Sequence, residues 1–339
     1  MSNKDLVIIN NEKISKKTNS FYCDNIDMKS IPEDLSKNFN VKVIARNSRI
    51  ERTRKINLEK IETSSNILSF LNSILKTFKN KEASYLIISV TPYTFFSYLL
   101  LLFFRRKIFI YLRSDGYKEY KAILGFIGPA IYHLMFKIVT LKSNIITCQE
   151  NLFKKRKSHI VFPSELNSLW FDSIKEPLLD KPRLLYVGRI NIEKGIFSLL
   201  KIFNKANIDS YLSVVGRAEN LNLSNKRVLC IGHGYDASSL IKIYDDHNIF
   251  ILPSFTEAHP KVIDESLARN RPVIIFEEIK HIIQNRNGIF VSKRNVESLL
   301  ETIHFIMKNY ATIQKNMNQN KLPTKKEFIS QMSNILRSN

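Results

Sequence analysis

The chain has 339 residues, with 52 lysines and arginines against 31 acidic residues, a net charge of +21, and 44% hydrophobic and 24% charged positions. That balance excludes disordered and fibrous classes, and the length suffices for two domains that each bury a core. Only nine glycines occur, and they form no G-x-G-x-x-G fingerprint and no G-x-x-x-x-G-K-[ST] loop, so the common dinucleotide and P-loop sites are excluded.

From the N-terminus, MSNKDLVIIN turns polar by residue 10 and lacks the apolar core of a secretory signal. Short β-branched runs then alternate with helical patterns, the signature of a parallel α/β sheet. Strands are expected at Leu6–Ile9, Val41–Ala45, Tyr85–Val90, Lys107–Leu112 and Asn144–Thr147, with helices over Asn66–Phe78, Thr94–Phe104 and Lys118–Ile138. Periodicity is lost over Glu165–Pro182. It restarts with strands at Arg183–Val187, Tyr211–Val215, Arg227–Cys230, Asn248–Leu252 and Pro272–Phe276. Between these, Glu193–Ala206, Ser238–Asp245 and Lys261–Ala268 read as helices, and a last helical region runs from Val296, broken near Pro323.

The fold class is therefore α/β, two successive doubly wound units. The boundaries expected are a domain over 1–170, a linker over 171–182, a domain over 183–315, and a helix over 316–339 able to return to the first domain. Ligands of such sheets bind at the carboxyl ends of strands.

The cysteines Cys23, Cys148 and Cys230 form no C-x-x-C pair, which suggests a reducing compartment and no cysteine zinc site. The longest apolar stretch, Val90–Phe104, is about 15 residues where a spanning helix needs roughly 20. Of the charge excess, fourteen cations fall in the first 170 residues and seven in the rest. Clusters at Arg105–Lys107 and Lys154–Lys157 read either as solvated surface or as contacts to a polyanion, nucleic acid or an acidic membrane face.

Two segments of the second half carry chemistry. After the strand at Leu184–Val187 come Gly188, Arg189 and, five residues on, Lys194, followed by Gly195 and an amphipathic helix. Two cations at a strand-to-helix turn can converge with the helix N-terminus on one diphosphate. Taken alone, such cations also suit an ordinary surface turn. The other segment, Pro253–Ala268, follows an apolar strand. It places Glu257 in a loop, Pro260 where a helix can begin, Lys261 and Val262 with free first-turn amides, and Glu265 inside the helix. Carboxylates accept paired hydrogen bonds from vicinal hydroxyls, so the two acids suit two parts of one extended sugar ligand. Each alone could equally be a surface charge.

Together the segments resemble the GT-B nucleotide-sugar glycosyltransferases, specifically the retaining family 4. The resemblance rests on V-G-R-x(4)-K-G, then Val215-Gly216, then P-S-x-x-E-x(7)-E followed by Ser266-Leu267-Ala268 and Pro272-Val273-Ile274, with Asn287-Gly288 as the next turn. It implies two Rossmann-like domains facing across a central cleft. It assigns Gly188, Arg189 and Lys194 to the donor's diphosphate, Glu265 to the ribose and Glu257 to the transferred sugar. The segment Pro260–Val262 would line the sugar and phosphate site. His233, in Ile231–Tyr235, would lie near the base or be a plain loop histidine. No D-x-D motif is present, and this scheme needs no metal and no cofactor beyond the UDP- or GDP-linked donor.

The chain departs from that pattern at three places. Asn10–Lys17, after the first strand, holds no glycine where the family is glycine-rich. Arg113-Ser114-Asp115-Gly116 ends the fourth strand; Arg113 and Asp115 are candidates to orient acceptor or sugar, the alternative being a salt-bridged strand-end turn. Arg269-Asn270-Arg271 replaces small residues, with consequences expected only for packing.

Thr94–Phe104 is nearly all apolar and runs straight into Arg105, Arg106 and Lys107, and Ala122–Phe136 is apolar on most faces between Lys121 and Lys137. Such helices either bury themselves or dock on a membrane, with Phe103 and Phe104 dipping in and the cations holding anionic headgroups. A lipid-linked glycan acceptor would make that docking necessary. The expectation is a retaining, metal-independent hexosyltransferase of cell-surface polysaccharide biosynthesis, cytoplasmic and peripheral on the inner face of the cell membrane. The competing readings are a basic nucleic-acid-binding protein, which no interleaved aromatic stripe or recognition helix supports, and a degenerate transferase-like binding module.

Overall fold

The first strand shows how the sheet is built. In β1 (Asp5–Lys17), Leu6, Ile8 and Ile14 pack on one face and Val7 and Ile9 on the other, because side chains alternate along a strand. Both faces are covered, as parallel sheets require. The structure is a computed structural model describing residues 3–148, 158–217 and 225–338. The basic run at Lys154–Lys157 lies outside the described residues. Two units make up the chain, Met1–Phe162 with Lys326–Asn339, and Pro163–Lys325.

The first unit adds strands β2 (Ser20–Cys23), β3 (Asn40–Asn47), β4 (Arg54–Ile56), β5 (Ile61–Ser64), β6 (Ser84–Ile88), β7 (Lys107–Leu112), β8 (Asn144–Thr147) and β9 (Ser158–Ile160). The parallel order is β5-β3-β1-β6-β7-β8-β9, with β2 and β4 joined antiparallel to the far end of β1. On one face lie α1 (Ile26–Leu35) and α11 (Lys325–Arg337), whose Phe328, Met332 and Leu336 are buried among Leu6, Ile8 and Val43. The other face is covered by α2 (Ile67–Leu75), α3 (Pro92–Phe103), α4 (Gly116–Leu124) and α5 (Gly128–Val139). Thr91 caps α3 through a reciprocal box with Thr94, and Pro92 takes the first helical position.

Two expectations are corrected here. Asn10–Lys17 is not a loop: β1 bulges after Ile9, resumes pairing with β3 at Lys13 and Ile14, and pairs with β2 over Ser15–Lys17. Burial of Ile14 and Ser15 holds the extension. The single helix expected over Lys118–Ile138 is an antiparallel pair, α4 and α5, broken where Gly125 takes φ +65°. The two helices meet closely: a Cβ at Gly128 would lie 2.0 Å from the Tyr120 carbonyl oxygen.

The second unit is a six-stranded parallel sheet, β12-β11-β10-β13-β14-β15, built from β10 (Arg183–Val187), β11 (Tyr211–Val215), β12 (Val228–Gly232), β13 (Ile249–Leu252), β14 (Val273–Phe276) and β15 (Ile289–Ser292). The expected strands reappear with ends within about two residues, and β15 is an addition. The helices are α6 (Ile196–Lys205), α7 (Ala237–Asp245), α8 (Lys261–Ala268), α9 (Val296–Lys308) and α10 (Tyr310–Met317).

Arg269 and Arg271 do more than pack. Both are fully buried. Arg269 forks onto Asp245 at 2.9 and 2.7 Å and donates to the carbonyls of Trp170, Asp172 and Ser173, while Arg271 donates to those of Lys175 and His247. The start of the segment expected as a linker is thereby pinned to the ends of α7 and α8. Two guanidiniums are tolerated in this core because their donors meet a carboxylate and a set of carbonyls.

Candidate active site

The carboxyl ends of β10 and β13 bring the two sequence motifs together. After β10, a Cβ on Gly188 would come within 2.8 Å of the Tyr186 hydroxyl, and that hydroxyl donates to the Arg189 carbonyl at 2.6 Å. The turn is thus fixed by its own strand, and Arg189 projects exposed from it, with no side-chain ion pair among the described residues. A short 3-10 turn over Ile192–Lys194 follows, and Gly195 takes φ +67° before α6. No other residue fits at Gly195, where a Cβ would sit 1.8 Å from the Pro253 carbonyl oxygen.

That close approach locks the two loops. The Phe255 amide donates to the Glu193 carbonyl at 3.0 Å. Lys194 Nζ donates to Glu257 Oε1 at 2.6 Å, and Ser254 Oγ donates to the same oxygen at 2.7 Å. His281 Nε2 donates to the Glu257 carbonyl at 3.0 Å. Lys194 and Glu257, expected on different parts of one donor, are therefore ion-paired with each other.

Helix α8 begins right after Pro260, which offers no side-chain cap, so its first-turn amides at Lys261 and Val262 have no partner within the helix. The Lys261 ammonium is 3.4 Å from Glu165. Glu265 is buried, not a surface charge, and accepts from the Tyr244 hydroxyl at 3.0 Å. Burial pushes its carboxyl up from 4.5 to about 7, against the pull of Lys261 and the Tyr244 hydrogen bond. Beside it, Asp264 is buried between His259 Nε2 at 2.8 Å and Arg286 Nη1 at 2.5 Å. The sequence alone does not pick out that buried trio. Its only signal is an acid directly preceding Glu265, and nothing in the spacing pairs it with a histidine and a distant arginine. His233 is exposed in a turn whose flanking glycines, Gly232 and Gly234, take φ +96° and +86°.

In the first unit the candidate acceptor residues are drawn into local structure. Arg113 Nη1 donates to Asp27 at 2.6 Å in the first turn of α1. Asp115 caps α4, its Oδ1 accepting from the amides of Tyr117 and Lys118 at 3.1 and 3.4 Å. This is the salt-bridged strand-end turn. Of the residues expected at a membrane, Phe103 and Phe104 are exposed, as is Arg105, in a left-handed turn. Arg106 and Lys107 are engaged locally. Arg106 donates to the carbonyls of Phe78, Asn80 and Lys81 and stacks on the Phe78 ring, and Lys107 donates to the Ser338 carbonyl. Exposed apolar surface also gathers where α4 turns into α5, at Ile123, Leu124, Phe126 and Ile127, with Phe126 91% exposed.

Comparison with known proteins gives these features a context. Residues 170–322, which contain both loops and α8, match the family profile described as Glycosyl transferases group 1. An uncharacterized glycosyltransferase of Haemophilus influenzae is 27% identical over 186 residues, 51% of this chain and 52% of that protein, so the chain spans about half the length of this relative. The capsular polysaccharide biosynthesis glycosyltransferase CapM of Staphylococcus aureus is 26% identical over 276 residues, 70% of this chain and 71% of that protein. Among solved structures, sucrose-phosphate synthase of Thermosynechococcus elongatus superposes with a TM-score of 0.70 at 16% identity, covering 98% of both chains. Anabaena HepE, in complex with UDP and glucose, also gives 0.70, at 10% identity over 98% of this chain and 99% of that one. The fold is GT-B. Within the GT-B architecture, Lys194, Glu257 and the α8 N-terminus lie in the stretch matched by the group 1 profile.

Proposed function

We propose that this protein is a retaining glycosyltransferase. It moves a hexose-type sugar from a UDP- or GDP-linked donor to a lipid-linked or membrane-proximal glycan in cell-surface polysaccharide biosynthesis. One observation carries the reading: Lys194 and Glu257, from loops after two adjacent strands, meet at 2.6 Å at the end of the sheet where the uncapped α8 begins. The names of its relatives, a capsular polysaccharide enzyme among them, and the UDP and glucose held by HepE support it.

The chemistry follows from the charges. Departure of the sugar builds negative charge on the nucleoside diphosphate. Arg189, Lys194 and the first-turn amides of α8 lie where preorganised positive charge stabilises it, so the step calls for no metal. An arriving diphosphate competes with Glu257 for the Lys194 ammonium. That exchange frees the Glu257 carboxylate for the hydroxyls of the transferred sugar, so the pair is neutral while empty and divides its charges between the two parts of the donor. Glu265, dehydrated beside Tyr244, accepts from the ribose. Retention follows if the acceptor hydroxyl attacks on the face the diphosphate leaves and gives its proton to the departing phosphate oxygen, whereas a double displacement would require a carboxylate nucleophile.

The apolar turn between α4 and α5, flanked by the exposed Lys121 and Lys137, is the face we assign to an anionic membrane, on its inner side. No helix among the described residues is long and apolar enough to cross a membrane. The test is hydrolysis or transfer with a panel of UDP- and GDP-sugars, without added metal. We expect turnover in the wild type and a loss of about 100-fold or more in Lys194→Ala and in Glu257→Ala. Full activity in both variants would sink the reading.

A further inference from the structure

Arg294, just past β15, is half-buried in an arrangement that neither sequence motif contains. Its Nε and Nη2 fork onto Glu278 at 2.8 and 3.0 Å, and Nη2 also donates to the Pro253 carbonyl at 3.0 Å. The guanidinium lies between two rings, 4.2 Å from the centre of Phe255 and 4.3 Å from that of Phe276. Nη1 is buried with no acceptor, and it would stand 3.3 Å from a Cβ at Gly195. Leaving a buried charged donor unmet is costly. Departures from full satisfaction of this kind concentrate where function constrains the chain.

We infer that Arg294 is a positioning residue for the Lys194–Glu257 pair. It is hydrogen-bonded to the backbone of the Glu257 loop at Pro253 and stacked on the ring of Phe255 in the same loop, and its Nη1 lies close over Gly195, the residue after Lys194. One rigid planar cation thus spans both loops and sets the distance between them. Glu278 holds the plane of the fork and neutralises its charge, so the group adds no net charge beside the positive end of α6. A lysine would keep the charge but not the fork or the ring stacking. The inference rests on the glycosyltransferase reading and extends it to a residue that touches no donor atom.

The experiment uses the full chain and whichever of UDP-glucose and GDP-mannose the wild type hydrolyses. Arg294→Met keeps the apolar stem and removes the fork. We expect kcat to fall between about 10- and 100-fold, the range set by a misplaced catalytic group, with KM changed less than about threefold. Arg294→Lys should recover part of the loss. The deciding measurement is a double-mutant cycle. If Arg294 acts through Glu257, Arg294→Met combined with Glu257→Gln is no slower than Glu257→Gln alone. Losses that multiply, or an Arg294→Met enzyme with wild-type kcat, overturn the inference while leaving the functional reading standing. A wild type that hydrolyses no nucleotide sugar overturns both. Should Arg294→Met fail to fold, Glu278→Gln, on a partly exposed side chain, carries the same cycle with a smaller loss. A loss absorbed by Glu257→Gln then supports the inference, and one that multiplies with it overturns it.

Discussion

Glu265 shows what burial does to a single side chain in this site. Its carboxyl titrates near 7, pushed up by desolvation, with Glu165 and Asp264 adding to the rise and Lys261 and the Tyr244 hydroxyl opposing it. An acid whose folded pKa lies above its unfolded value binds more protons when folded, so it subtracts stability as pH rises from 4.5 towards 7. Ribose hydroxyls, by contrast, donate best to the ionised form. Glu265→Gln should therefore be more stable than the wild type by about 3 kcal/mol above pH 7 and equal to it near pH 4, a difference that chemical denaturation at the two pH values measures. UDP affinity in the wild type should weaken as pH falls below 7, and this dependence should vanish in the variant. A variant no more stable at pH 8 than the wild type would mean the carboxylate is already compensated.

The residue scale is also where the sequence is most and least legible. Gly188, Lys194, Glu257 and Glu265 can be read because glycine, charge and spacing are properties of the chain itself. Their mutual arrangement cannot: nothing in the separation of 63 positions says that Lys194 meets Glu257. Arg106, Lys107 and Asp115 are hard to read for the same reason. A charge next to an apolar run looks free until its partners are known, and here those are backbone carbonyls for the two cations and helix amides for the acid.

At the scale of elements, the glycine-free segment after the first strand proves to be more strand, since Ile14 joins Leu6 and Ile8 in one core and Ser15 is buried beside it. Length alone would not separate that from a loop, because the new partner strand β2 is only four residues long. The α4–α5 pair is the clearer case for function. Its turn exposes Ile123, Leu124, Phe126 and Ile127 together, and apolar groups clustered at one tip mark an interaction surface where scattered ones do not. If the tip enters a membrane, Phe126→Ser combined with Ile123→Ser removes about 3 to 6 kcal/mol of burial. Co-sedimentation with vesicles containing phosphatidylglycerol should fall by at least tenfold, while hydrolysis of a soluble donor is unchanged. Equal binding by the variant would remove the tip from the membrane face, and binding by neither protein would remove the docking altogether.

Across the whole molecule, the last helix belongs to the first sheet. The sequence allows this by showing a helical pattern beyond Pro323, but which sheet it covers depends on an apolar face that exists only once β1 and β3 are paired. Phe328, Met332 and Leu336 fill that face and are almost wholly buried, which by transfer energies is worth about 5 to 9 kcal/mol, comparable to the net stability of a domain. Deleting residues 326–339 should therefore unfold the first unit and spare the second. The chain offers its own reporter, since its one tryptophan, Trp170, is buried in the second unit against Tyr244. In a urea titration of the deletion variant, tryptophan emission should keep the wild-type midpoint while far-ultraviolet circular dichroism starts from a reduced amplitude. If instead the Trp170 transition moves with the dichroism, the two units unfold as one cooperative body, and the energy of the last helix is shared by the whole chain.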